Sequence, residues 1–148
     1  MIAANTSAWS GVRAVIADAK RPGVMVGAVA GDPVGTVVQP RDKRLASRKL
    51  WIAFAVGSSG TLVVDAGARR ALVEHNRSLL PAGIVDVQGR FDADEAVEVA
   101  DDHGEVFAKG LVRVDSRVLA SAAGKHTADL PEGVPHEVIH KDDLVVLP

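Results

Sequence analysis

Residues 65–91 read DAGARRALVEHNRSLLPAGIVDVQGRF, and the way this stretch divides decides the fold. Asp65 is an N-cap, and Ala68, Ala71, Leu72 and His75 recur at three- and four-residue steps, with Arg69, Arg70 and Glu74 directed to water. This spacing predicts a helix of about ten residues ending at Asn76, a residue that tolerates the left-handed backbone found just past a last turn. Pro81 and Gly83 make a corner. Beyond it, Val85, Val87, Gly89 and Phe91 alternate with Asp86, Gln88 and Arg90, the period of a strand with one wet face.

The chain of 148 residues has room for one ordinary domain, or for one domain of about 100 residues plus part of another. Its 17 basic and 19 acidic residues leave a formal charge of -2, which excludes the strongly basic footprint of a dedicated nucleic-acid binder. Without cysteine there are no disulfides and no thiolate metal sites. The opening MIAANTSAWSG lacks a signal-peptide pattern, and no apolar run approaches the ~20 residues of a membrane span, so a soluble cytoplasmic protein is expected.

Towards the N-terminus, residues 2–10 read as a helix closed by Gly11. Val12 to Ala17 reads as a strand of a parallel sheet, Pro22 to Ala30 as a helix stopped by Gly31, and Val34 to Val38 as a second strand. Strand, helix, strand is one crossover unit of an α/β domain, and alone it cannot bury both of its faces. Residues 39–49, with Arg41, Lys43, Arg44, Arg48 and Lys49 against Asp42, read as a basic linker into a strand LWIAFAV over 50–56.

Towards the C-terminus, GSSG at 57–60 reads as a hairpin turn and TLVVD as a strand. After an acidic stretch, AVEV and Glu105 to Val114 are further strands, the latter with Val106, Ala108, Val112 and Val114 on one face. Ser116 caps a short helix, and EVIH and DLVVL form a last strand pair. Residues 50–148 are therefore expected to be mostly β, a compact pseudo-barrel of short, largely antiparallel strands with two small helices.

DAGARRAL, SLLPAGIVDVQGRF and FAKGLVRVDS together resemble the PUA domain, named after pseudouridine synthases and archaeosine transglycosylases. Adding PVGTVVQP, SRKLWIAFA and VIHKDDLVVL, the chain more closely resembles the C-terminal part of bacterial glutamate 5-kinase, from about Met1 to Leu147. The resemblance implies 1–38 as the end of an amino-acid-kinase domain, 39–49 as linker and 50–148 as PUA domain. In that family the kinase domain phosphorylates the γ-carboxylate of glutamate with ATP and magnesium, the first step of proline synthesis. Its ATP loop and glutamate-binding residues would fall before Met1, so this stretch carries no catalytic residue or cofactor site of its own, and a regulatory or oligomerising role is expected. Its partner would be the kinase domain, with a homo-oligomer possible. The family usually has Gly where Asn76 and Asp94 stand here.

HEVIH at 136–140 matches a zinc-protease pattern but not its geometry. That site needs a helix; after Pro135 and with Val138 and Ile139, a strand is expected, which sets the histidines about 13 Å apart, beyond the reach of one zinc. No G-x-S-x-G elbow and no phosphate-cradling glycine loop is present. The PUA resemblance implies a different activity, RNA binding along a groove beside the helix and the following turn. Arg69, Arg70, Arg77, Lys109 and Arg113 are the candidates for phosphate contacts, with Ser78 and Gly83 in the turn. The acidic run from Asp92 to Glu105 and the scarcity of aromatics weigh against it.

Overall fold

A computed structural model describes residues 2–42 and 44–147. The chain divides into two compact units, Met1–Leu50 and Trp51–Pro148.

In the first unit, helix α1 (Ile2–Trp9) is followed by Gly11 with φ +75°, the left-handed stop expected there. Strand β1 (Ala14–Ala17), helix α2 (Val24–Ala30) and strand β2 (Gly35–Val38) come next. The two strands pair antiparallel, Ala14 opposite Val38 and Ala17 opposite Gly35. A parallel crossover was the expectation. A four-residue apolar run specifies a strand but not its partner's direction, which the path of residues 18–34 decides. Nor is β1 buried on both faces, since Ile16 stays exposed. The basic segment is held against α1: the Arg41 guanidinium lies 4.5 Å from the Trp9 ring centre, and the N–H groups of Arg41 and Leu45 donate to the carbonyls of Ala8 and Trp9.

Helix α3 (Ser47–Phe54) replaces the strand expected at 50–56. Its apolar run fits either period, and the polar start at Ser47, Arg48 and Lys49 makes the segment amphipathic as a helix. Ile52 is buried completely while Trp51 faces outward. Residues 57–59 accordingly join a helix to a strand and form no hairpin.

The second unit is built on an open five-stranded sheet, in the order β4–β3–β5–β6–β7. Its strands are β3 (Gly60–Val64), β4 (Ile84–Gly89), β5 (Ala96–Ala100), β6 (Val106–Leu111) and β7 (Leu144–Val146). All neighbours are antiparallel except β3 and β5, which run parallel because helix α4 (Ala66–His75) and β4 intervene. Helix α5 (Ser116–Ala122) packs against β4. Asp115, not Ser116, is its N-cap: the carboxylate accepts from the N–H groups of Arg117 and Val118 at 2.9 and 3.0 Å. Leu62, Val64, Val97, Val99, Val112, Leu119, Val138 and Ile139 are sealed from water and form one core with Leu72, Leu79 and Ile84. Each contributes roughly 1.5–3 kcal/mol on burial.

Two bulges alter the expected faces. Val64 opposes Ile84 and Val63 opposes Asp86, so Val85 is an extra residue turned out to water while Ile84 is buried. A second bulge at Val99/Ala100 leaves Phe107 unpaired, and both faces of β6 are covered from Phe107 to Leu111, with Val106 exposed. EVIH is not a strand. Only Ile139 makes a bridge, to Leu79, before a 3-10 turn leads into β7.

Candidate functional site

Helix α4 has one face on a groove. Asp65 caps it, its carboxylate accepting from the Ala68 N–H at 2.7 Å, and Asn76 closes it in the left-handed region at φ 47°. The turn at Pro81–Gly83 then brings the chain back alongside. Gly83 is what allows the closeness, since a β-carbon there would lie 2.5 Å from that of Ala68. Helix, turn and the segment before β7 enclose a groove of about 900 Å³. Small residues line its floor, Gly67, Ala68, Ala71, Ala82 and Gly83 among them. Its polar lining comprises Asp65, His75, Asn76, Arg77, Ser78, His126, Glu137, His140 and Lys141.

The far wall is tied in place by polar contacts. Ser78 Oγ accepts from the Lys141 N–H at 3.1 Å, so the turn after α4 is bound to the turn before β7. His140 caps that turn: its Nδ1 accepts from the Asp142 N–H at 3.2 Å, which leaves Nε2 towards Glu137, 3.9 Å away. Glu137 also meets Arg113 at 3.5 Å. His136 lies exposed outside this arrangement, and 136–140 is not helical, so the two histidines of HEVIH do not share a helix face.

Of the residues singled out in the sequence, Arg77, Ser78 and Gly83 line the groove together, and Arg113 stands behind its Glu137. Arg69 and Arg70 lie on the other side of α4 with Val73 and Glu74, as helical periodicity requires once Ala68, Ala71 and Leu72 face the groove. Arg69 pairs with Asp101 at 3.6 Å and lies 5.2 Å from the Phe107 ring centre. Lys109 is 7% exposed, and its ammonium donates to the Val56 carbonyl. Burial lowers its pKa, against the opposing pull of Glu98. Sequence reasoning passed over His126, His140 and Lys141 as groove residues, because they come from segments far along the chain with no helical or strand period.

Among the described residues, no three His, Asp or Glu side chains converge to hold a metal ion, and no helix is long and apolar enough to cross a membrane.

The PUA domain family model matches residues 60–134. The chain is 39% identical to the glutamate 5-kinase of Synechococcus sp. (strain JA-3-3Ab), covering 99% of this chain and 41% of that protein. To the glutamate 5-kinase of Bifidobacterium adolescentis it is 44% identical, covering 99% of this chain and 39% of that protein. The chain thus spans about 40% of the length of the curated relatives it matches, and what it matches is their PUA-containing C-terminal part. Among solved structures it is similar to a PUA domain from Aeropyrum pernix K1 in a tartrate complex, with TM-score 0.43, 23% identity, and 63% of this chain and 48% of that one covered. A conserved PUA domain protein from Thermoplasma acidophilum gives TM-score 0.44 at 18% identity, covering 86% of this chain and 92% of that one.

Proposed function

This chain belongs to the PUA domain family, and from that premise we propose that it serves as the non-catalytic C-terminal module of a glutamate 5-kinase. One observation carries the reading. The glutamate 5-kinase likeness runs through 97–99% of the chain and so includes the first fifty residues, which the PUA family model leaves unmatched. A free-standing PUA module would share only the PUA part. On this reading residues 1–38 belong to the amino-acid-kinase domain, and transfer of the ATP γ-phosphate to glutamate, with magnesium, takes place in chain beyond the matched stretch. No chemical step through magnesium is assigned to the residues described here. The module's role is regulatory or in assembly, within a cytoplasmic enzyme.

A chimera tests this: the matched C-terminal part of the Bifidobacterium adolescentis kinase is replaced by this chain, and ATP-dependent glutamate phosphorylation is compared with that of the enzyme lacking the part. Activity and assembly state close to the native enzyme support the proposal. A folded chimera no better than the truncated enzyme refutes it.

The groove supports a second reading, a module that binds structured RNA, because Arg77, Lys141 and three histidines line a concave surface with an apolar floor, beside only two carboxylates, Asp65, occupied in capping α4, and Glu137, paired with Arg113. A labelled-RNA titration at low and high salt tests it. Arg77→Ala weakens binding on this reading, whereas Arg70→Ala, on the other side of α4, leaves it unchanged. Equal effects of the two substitutions would show that binding is a diffuse charge effect.

A further inference from the structure

We infer that the groove beside α4 is gated by pH: it takes the phosphodiester backbone of RNA when His75, His126 and His140 carry protons, and releases it as they give them up. This rests on the reading of the groove as an RNA-binding surface and names its regulation.

Three of the chain's five histidines line this one groove, and the other two, His103 and His136, lie outside it. Histidine is the side chain whose charge ordinarily changes between about pH 5 and 8. The fixed charges around the three rings balance. Asp65 at the start of α4 and Glu137 on the far wall are negative, and Arg77 and Lys141 are positive. Lys125 and Asp129 flank His126 with opposite signs, while Glu74, next to His75 in sequence, lies on the other side of α4. With neutral rings the lining therefore has no net attraction for a polyanion. With three protonated rings the same concave surface carries an excess of positive charge, the sign that a phosphate chain requires.

The geometry at His140 accommodates both states. In the neutral ring Nδ1 is an acceptor and takes the Asp142 N–H at 3.2 Å, capping the turn before β7. A proton on Nδ1 ends that bond, and the ring then has a carboxylate near each nitrogen, Asp142 at 3.6 Å from Nδ1 and Glu137 at 3.9 Å from Nε2. Arg113 stands behind Glu137 at 3.5 Å. The charged ring thus engages the far wall's carboxylate, which would otherwise repel an incoming phosphate. It does so beside the wall's anchor, since the next residue, Lys141, donates its N–H to Ser78 Oγ.

The test is a titration of a labelled RNA hairpin at low salt, at about pH 5.5 and about pH 8, a range in which phosphodiesters keep their charge and histidines do not. The expected result is binding about tenfold tighter at the acid end, with a steeper dependence on salt. His75→Gln with His126→Gln removes most of that gain; both side chains are exposed, so the core is untouched. His103→Gln with His136→Gln, outside the groove, keeps it. A gain that survives the groove pair, or that falls equally with the outer pair, overturns the inference. The RNA reading is judged separately. Saturable, Arg77-dependent binding that ignores pH keeps that reading and removes the gating, and no binding at either pH removes both.

Discussion

Arg69 on α4 and Asp101 at the end of β5 meet at 3.6 Å, joining the back of the groove helix to the turn between β5 and β6. Asp101 is the hub of that turn: it accepts from the N–H groups of Glu105 and His103, both at 3.0 Å, and is 7% exposed. Its carboxyl is held below the ordinary carboxylate range, first by the Glu105 hydrogen bond, against the cost of burial, then by the His103 N–H and the Arg69 charge.

The pH dependence of stability follows in sign. The folded pKa lies below the unfolded value of 3.8, so the unfolded chain takes up the proton first. The stabilisation is complete above that value and is lost as pH falls towards the folded pKa. Denaturant midpoints measured down to acid pH should fall more steeply for the native protein than for Asp101→Asn, which cannot ionise.

Lys109 gives the opposite dependence. Its folded pKa is lowered, so in the window below 10.5 the unfolded chain holds the proton more tightly and stability rises with pH. Lys109→Met should abolish that rise. At neutral pH the substitution removes both a buried charge and the donor to the Val56 carbonyl, opposing effects that leave the midpoint little changed. Guanidinium titrations of both proteins at neutral and alkaline pH check this.

Gly83 and Ala68 are coupled through the groove wall. Gly83→Ala should cost about 1–3 kcal/mol, because the new methyl would sit 2.5 Å from the Ala68 β-carbon. Ala68→Gly in that background should recover part of the loss, although by itself it costs about 1 kcal/mol in helix propensity. A double-mutant cycle by thermal unfolding reads the coupling directly.

Asp94 sits at φ 69°, and with Asn76 it is one of two non-glycine residues in the left-handed region among those described. Asp94→Gly should stabilise the protein by about 1 kcal/mol, and Asn76→Gly by less, since asparagine tolerates this region better. Calorimetric melting of the two variants ranks them.

Much of this molecule is written locally. Asp65 and the apolar steps Ala68, Ala71 and Leu72 specify α4, Asn76 and Gly31 stop their helices, and Pro81 with Gly83 makes the corner, because caps, turns and helical period act within a few residues. It was the PUA resemblance, and not any local pattern, that singled out Arg77, Ser78 and Gly83 for binding, and these line the groove in the fold.

The remainder needed the third dimension. Ile52 and its neighbours are apolar enough for a strand or a helix, and the ambiguity is resolved only in the fold, where Ile52 is buried on one side of α3. The direction of β2 against β1, the parallel pairing of β3 with β5, and the bulge that turns Val85 out and Ile84 in depend on partners distant in sequence. So does the far wall of the groove: Ser78 and Lys141, 63 positions apart in sequence, are joined by a backbone-to-hydroxyl hydrogen bond that no local pattern encodes. Sequence by itself determined where this chain turns and which of its segments are amphipathic, since those are near-neighbour properties. Only the tertiary structure decided which arginines reach the groove, because a side chain's surroundings are set by the packing of segments remote from it.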